Sequence, residues 1–412
     1  MNRIKRLFPP TTAFVCFLFP ALLWGRTLAP EEAVALALAQ NGGLEASQAR
    51  IAVAEGLRLQ AGLKPNPRLI FQTENLRAAG TPSFRLSQDP DQFAYLSQVV
   101  EARGKRQSRI DLAQQTITAN QLSRENLRAQ IAGRVLTAYW AAVGAQKLAG
   151  TFAESLAVLQ QTLQYHRDQV REGSLPEADL IRVQLEWQQA DLSHRNALQE
   201  ARRAVTLLFR EMGVAEEPGT ELSGDIGAVP TVEPAAAEEA VERRTDIRAA
   251  AHAVEQARAA SRFQRVAAKP DPEFAFGYKR TAGFDTVLVG VQINLPVRNK
   301  NQGAIAAAAA EETVASSVLQ HARRSAKNEI DALRGEYTQK KQVVEEILPP
   351  LRAQAAETSR IAQAVYREGA SDLLRLLDAE RVRIQAETLY IRSLIEYRQA
   401  AVGLQVALGM IP

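Results

Sequence analysis

The side chains that could do chemistry are few and scattered along this 412-residue chain. There are four histidines, His166, His194, His252 and His321, and a single cysteine, Cys16. No two histidines have the spacing of metal ligands and no cysteine pair exists, so the sequence indicates no zinc, haem or redox site and no cofactor. His166 falls on an apolar helical seam, where packing is its expected role. The chain thus shows no set of residues for catalysis.

Composition points the same way. The formal net charge is only +4 with both signs mixed along the chain, which is too weak and diffuse for a nucleic-acid footprint. Hydrophobic residues make up 46% but aromatic residues only 6%. Most of the apolar character therefore comes from Ala, Leu, Val and Ile, a composition typical of long packed helices.

The first 25 residues predict a cleavable secretory signal. Arg3, Lys5 and Arg6 precede an apolar run at 11–24 that is shorter than the ~20 residues of a membrane-spanning helix. Cleavage near Gly25 would remove Cys16. No later stretch is long and apolar enough to be a membrane helix, so any membrane part must consist of strands.

The remaining chain contains an internal duplication. Three short motifs recur in the same order, with 64–67 matching 269–272, 103–107 matching 298–302, and the Arg-Glu-Gly at 171–173 matching that at 367–369. We therefore divide the chain into a first repeat at 26–213, a Pro-, Gly- and acid-rich linker at 214–239, and a second repeat at 240–412.

Each repeat contains segments of period two, at about 68–101 and about 273–296, which predict a hairpin of membrane-length strands. On the last strand, alternation separates an apolar face from a polar one. The apolar face comprises Val287, Val289, Val291, Ile293 and Leu295. We expect this face to contact lipid, and Gln292 and Asn294 to face a water-filled lumen.

A long helical hairpin follows the strands in each repeat, at about 107–213 and about 302–409. Apolar residues from Phe152 to Val170 step by four and three, as in a coiled-coil seam. Gly173 and Gly369 are expected to end the first helix of each hairpin, because glycine readily adopts the left-handed conformation after a helix C-terminus. Pro349-Pro350 predicts a kink or a local break.

Four strands cannot close a barrel, and unpaired strand edges are not tolerated in lipid. The pattern therefore predicts a mainly α-helical chain that trimerises, with a 12-stranded membrane β-barrel continued by an α-helical coiled-coil tunnel. The alternative is a non-pore periplasmic coiled-coil protein, structural or adaptor, with a small capping sheet.

The signal peptide, the duplication, the strand hairpins and the glycine-ended helical hairpins together resemble the TolC family of outer-membrane efflux proteins. The stretch 294–303 resembles the CzcC-like branch linked to heavy-metal efflux. The resemblance implies a homotrimer in outer-membrane lipid, with its helical part in the periplasm, that docks onto a periplasmic adaptor (membrane fusion protein) and an inner-membrane RND-type pump. It implies passive export of metal cations or small toxic compounds, without catalysis; a type I protein secretion channel is the alternative within this class.

The resemblance also assigns site residues. Leu377-Asp378-Ala379 is similar to a family segment whose aspartate forms an acidic ring at the periplasmic gate, which makes Asp378 the gate candidate. Arg375 stands where a second acid is usual and could pair with Asp378 between neighbouring helices, while Asp372 could supply the missing charge or simply lie on a solvated helix face. The candidate adaptor-docking residues, which could equally be plain helix stops, are Arg171, Glu172, Gly173, Leu175, Arg367, Glu368, Gly369 and Ala370.

Overall fold

The computed structural model describes residues 27–411, apart from 78, 82–83, 86–88, 218 and 233–236. The predicted signal at 1–25, with Cys16, and parts of the predicted linker lie outside the described residues. Within the described part, no helix is both long and apolar enough to cross a membrane.

The first repeat contains two short helices, a strand hairpin and a long helical hairpin. Its elements are β1 (Thr27–Leu28), α1 (Pro30–Gln40), α2 (Gly42–Ala61), β2 (Arg68–Glu74), β3 (Asp91–Val99), α3 (Lys105–Arg171) and α4 (Glu177–Met212). Helix α3 has 67 residues, or about 100 Å at 1.5 Å per residue.

The second repeat follows the same order. Its elements, after the short strand β4 (Glu221–Leu222), are α5 (Ala237–Arg243), α6 (Thr245–Ala267), β5 (Glu273–Thr281), β6 (Phe284–Gln292), α7 (Gln302–Gln342), α8 (Leu348–Arg367) and α9 (Leu373–Ala407). The long helices begin after Gly104 and Asn301, both with left-handed backbones, at φ 94° and 61°.

Helices α7 and α8 are joined by a five-residue π turn, Val343–Ile347, just before Pro349-Pro350. The prolines have no N–H to donate to the carbonyls four residues back, so the α-helical pattern cannot continue unchanged here. Instead the Leu348 N–H donates to the Val343 carbonyl, five residues back. The helical path therefore continues through a π turn, the local departure that the two prolines predicted.

The two strand hairpins form one antiparallel sheet in the order β2-β3-β5-β6. Directly paired residues share a face, and one face is apolar and exposed across all four strands. A representative row is Leu69, Leu96, Phe276 and Val289, between 53% and 75% exposed. Strands β2 and β6 form the outer edges, and neither has a second partner among the described strands.

The main core lies midway along the helical part, where α1, α3, α4, α7 and α9 meet. Tyr139 is fully buried, and its hydroxyl donates to the carbonyl oxygens of Leu28 and Ser223. Arg398 lies 3.9 Å over the Trp140 ring and donates to the carbonyl oxygens of Asp225, Ile226 and Ala228. Tyr139 and Trp140 therefore do more than pack helices: together with Arg398 they hold the segment 219–232 against the core.

Candidate functional site at the helical tips

Each helical hairpin ends in a tight turn that its glycine makes possible. In the first turn Gly173 has φ 75°, and the Ser174 N–H donates to the Gln169 carbonyl at 2.9 Å. In the second, Gly369 has φ 72°, and the Ala370 N–H donates to the Val365 carbonyl at 3.1 Å. Both are Schellman-type helix ends, which satisfy carbonyls that would otherwise lack partners.

The predicted docking residues lie at these turns. Arg171, Glu172 and Gly173 are exposed in the first turn and Leu175 is half-buried; in the second, Arg367, Glu368, Gly369 and Ala370 are all exposed. Arg171 pairs with Asp168 at 2.9 Å within its own helix. The turns therefore present mixed charge on a hydrogen-bonded backbone that depends on glycine.

A small apolar cluster joins the two hairpins just behind the turns. Its members come from α3, α4 and α9 and are Leu159, Leu163, Val183, Leu373 and Leu377. Trp187 packs against this cluster. A cavity of about 240 Å³, lined by residues that include Tyr366, Leu376 and Glu380, lies beside the cluster.

His166 connects the tips of the two repeats. It is fully buried, and Nδ1 lies 2.9 Å from the Thr162 carbonyl, which can only accept, so Nδ1 carries the proton. Nε2 then accepts from the Tyr366 hydroxyl at 2.8 Å, and the two rings stack. Burial raises the pKa of the Tyr366 phenol, which keeps it a donor. The histidine packs on the seam as expected, and its hydrogen bond to the second repeat is an addition that the sequence did not predict.

The first two turns of α9 hold the predicted gate residues. Asp372 is its N-cap, and Oδ1 accepts from the Arg375 N–H at 2.9 Å. Asp378 is exposed, between the buried residues Leu377 and Ala379, and pairs with Arg381 at 2.5 Å. Within the described chain, Asp378 thus pairs with Arg381 rather than with Arg375; the pairing of Arg375 and Asp378 between neighbouring helices stays a prediction.

Two residues beyond Asp378 lies a carboxylate that the sequence reasoning missed. Glu380 is 3% exposed and accepts from the Ser359 hydroxyl at 2.6 Å and from Arg383 Nη2 at 2.6 Å. Burial alone would raise the pKa of this carboxyl, but the Arg383 and Ser359 hydrogen bonds outweigh it, and the pKa lies below its ordinary value. In sequence, Glu380 and Arg383 look like a surface pair at i and i+3, and no local signal distinguishes them.

At the opposite end, Gln292 lies on the polar face of the sheet, directly opposite Glu273 on β5. Asn294 follows two residues after the end of β6 and is exposed. The structure thus separates the predicted residues into two groups, one at the helical tips and one on the sheet. Among the described residues, no three His, Cys, Asp or Glu side chains are grouped so that they could hold a metal ion.

Comparison with known proteins places this architecture among outer-membrane channels. No family model matches the chain. The chain is 26% identical over 436 residues to the cobalt-zinc-cadmium resistance protein CzcC of Cupriavidus metallidurans, covering 98% of this chain and all of that protein.

Two solved structures show the same fold. The channel protein CusC is superposed with a TM-score of 0.77 at 16% identity, over 99% of each chain. The open-state outer-membrane channel MtrE of Neisseria gonorrhoeae gives a TM-score of 0.75 at 18% identity, over 92% of this chain and 88% of that one. The fold is therefore that of these outer-membrane channels.

Proposed function

We infer that this chain, a homologue of CzcC with the fold of the TolC-family channels, is the outer-membrane channel of a tripartite efflux system and has no catalytic role. One observation carries the inference: the duplicated strand hairpins form a single sheet whose apolar face is exposed across all four strands. Such a face is stable in lipid and unfavourable in water. The chain lies in the outer membrane, with its helices in the periplasm.

The proposed assembly is a homotrimer. A four-stranded sheet with edges at β2 and β6 cannot exist alone in a bilayer, because unpaired backbone groups are costly there. Pairing β2 of one copy with β6 of the next closes twelve strands after three copies. We assign the strands at about 68–101 and 273–296 to the barrel, the hairpins at about 107–213 and 302–409 to the tunnel, and 214–239 to the connection between the repeats.

The proposed partners are a periplasmic adaptor (membrane fusion protein) and an inner-membrane RND-type pump. The two tip turns support this assignment, since they are exposed and carry charge of both signs without any role in the core. The adaptor is expected to contact Arg171, Glu172, Gly173 and Leu175 in the first turn and Arg367, Glu368, Gly369 and Ala370 in the second.

The proposed gate lies close behind the second turn. In a trimer, three copies of Asp378 near the axis would form an acidic ring that favours cations and repels anions. Its exposure supports this role, since a carboxylate at a constriction must reach water. Asp372 already caps α9, so its proposed part in the gate is secondary, and Arg375 is free to pair with a neighbouring copy.

For the cargo we propose divalent metal cations or small toxic compounds, because the whole-length relative is a cobalt-zinc-cadmium resistance protein. Secretion of a protein by a type I system is the second candidate within the same class. A periplasmic coiled-coil protein without a pore would leave the exposed apolar face of the sheet unexplained.

The full-length protein, expressed and purified from membranes, tests this function. We expect a trimer with sheet and dominant helix that conducts ions in a planar bilayer, and a deletion strain that loses tolerance to cobalt, zinc or cadmium. A monomer that fractionates with soluble periplasmic proteins and gives no current would refute the channel. Loss of a secreted protein without loss of metal tolerance would favour type I secretion.

A further inference from the structure

A row of polar residues crosses the polar face of the sheet at its end nearest the helices. Arg68 on β2 is paired with Ser97 on β3, and Ser97 with Ala275 on β5; Glu273, two residues before Ala275 on β5, is paired with Gln292 on β6. Directly opposite residues in antiparallel strands point to the same side, and so do residues two apart on one strand, so the side chains of Arg68, Ser97, Glu273 and Gln292 share one face. Of these four residues, only Gln292 was predicted from the sequence to face a lumen.

Side-chain contacts bind the row together across three strands. Arg68 and Ser97 both donate to the same carboxylate oxygen, Oε1 of Glu273, so the arginine reaches over the intervening strand. Ser97 is 2% exposed beneath this bridge. The Arg68 side chain is 60% exposed, against 21% for Glu273, so the guanidinium is the group that a dissolved ion meets first.

The row runs from one edge of the sheet to the other. Arg68 belongs to the edge strand β2 and Gln292 to the edge strand β6, so pairing between copies would place Gln292 of one copy beside Arg68 of the next. In the proposed trimer the row becomes a closed ring on the inner wall, which contains three arginines and three glutamates.

We propose that this ring, formed by Arg68, Ser97, Glu273 and Gln292, determines ion selectivity at the base of the barrel. The exposed Arg68 guanidinium favours anions, and Glu273 fixes its position and offsets part of its charge. The proposal rests on the trimeric channel inferred above. It makes Arg68 and Glu273 specificity-determining residues, separate from the acidic gate at the other end of the tunnel.

The size of the effect follows from the geometry of the barrel. Twelve strands about 4.8 Å apart and tilted by about 40° give a radius of roughly 12 Å. The Debye length is about 30 Å at 10 mM salt and about 3 Å at 1 M, so the ring acts on ions at the axis only at low salt. Three charges at that radius in water change the local concentration of an ion by about threefold at 10 mM salt.

The test is the permeability ratio of chloride to potassium, taken from reversal potentials of the purified full-length channel at 10 mM and 1 M KCl. Chloride and potassium each change about threefold but in opposite directions, so we expect Arg68→Gln to lower the ratio about ninefold at 10 mM and Glu273→Gln to raise it by a similar factor, with both effects lost at 1 M. Arg280→Gln is the matched control, because Arg280 lies on the same strand as Glu273 but on the opposite, lipid-facing side of the sheet. Its ratio should equal that of the unchanged protein.

The outcomes separate this ring from the channel itself. If the channel conducts and neither Arg68→Gln nor Glu273→Gln changes the chloride-to-potassium permeability ratio, the proposed ring is wrong and the proposed function still stands. If Arg68→Gln fails to assemble, two other variants decide the question. Glu273→Gln should raise the permeability ratio, and Arg68→Lys, which keeps the charge, should leave it unchanged. A protein that conducts no current would refute the channel and the ring together.

Discussion

Two carboxylates, two residues apart on α9, differ in burial, and we expect the buried one to stabilise the fold and the exposed one to act on permeating cations. Glu380 is 3% exposed and hydrogen-bonded, whereas the Asp378 side chain is 56% exposed and paired with Arg381. We expect Glu380→Gln to destabilise the tip without changing the conduction of cations. Asp378→Asn should change the conduction of cations and leave stability nearly unchanged.

The magnitude follows from the contacts. Removing one partner of a fully buried ion pair costs about 3–5 kcal/mol, because the other charge is left without compensation. The Arg383 side chain remains 23% exposed, and glutamine keeps a carbonyl that Ser359 can reach, so we expect about 2–3 kcal/mol for Glu380→Gln. The exposed pair of Asp378 and Arg381 is worth about 0–1 kcal/mol.

Hydrogen exchange of the amides between 355 and 385, in the purified full-length protein, measures the free energy of local opening. The pKa of Glu380 is lowered in the folded chain, so its contribution is present above the ordinary value of 4.5 and is lost as pH falls through the folded pKa. The difference between Glu380→Gln and the unchanged protein should therefore be full at pH 7 and shrink below pH 4.5.

Block of the bilayer current by a multivalent cation gives the second readout. Asp378→Asn should weaken the block, while Glu380→Gln should leave it unchanged. Equal exchange rates for Glu380→Gln and the unchanged protein at pH 7 would refute the argument from burial. A block that weakens with Glu380→Gln but not with Asp378→Asn would show that the buried carboxylate, not the exposed one, reaches the ion path.

Two further predictions concern contacts that join distant parts of the chain. Tyr366→Phe leaves Nε2 of the buried His166 without a donor and should destabilise the tip by about 1–3 kcal/mol. Adding His166→Phe to the same chain should recover part of this loss. Additive losses in a double-mutant cycle would argue against the hydrogen bond. Arg398→Met keeps an apolar side chain near Trp140 but removes the donors to three carbonyls. Proteolysis within 219–232 should therefore accelerate, while the helical tips keep their protection. An unchanged cleavage rate would show that Arg398 does not hold this segment.

Much of the architecture was predictable because its signals are local. Alternation of apolar residues predicted the strands, and glycine predicted both tip turns, which have the expected left-handed backbones. The two prolines predicted the departure from α-helix at Val343–Ile347 but not its form, since the choice between a break and a π turn depends on how α7 and α8 pack against α9.

The site was less predictable because its partners are far apart in sequence. Asp378 and Asp372 could be found from a short motif, but Asp372 proved to be a helix cap. Glu380 carries no signal of burial in its own helix; Ser359 on α8 and the packing of the hairpin place it inside. The bond between His166 and Tyr366 joins residues 200 positions apart.

The sequence by itself determined the repeat, the period of each segment and the turn at the end of each long helix, because these depend on residues within a few positions of one another. Only the tertiary structure decided the order of the four strands and their register. The pairing of β3 with β5 brings Arg68 and Glu273, 205 positions apart, onto one face. A shift of one residue in that register would turn every side chain of a strand to the other face, so the polar row exists only through the pairing.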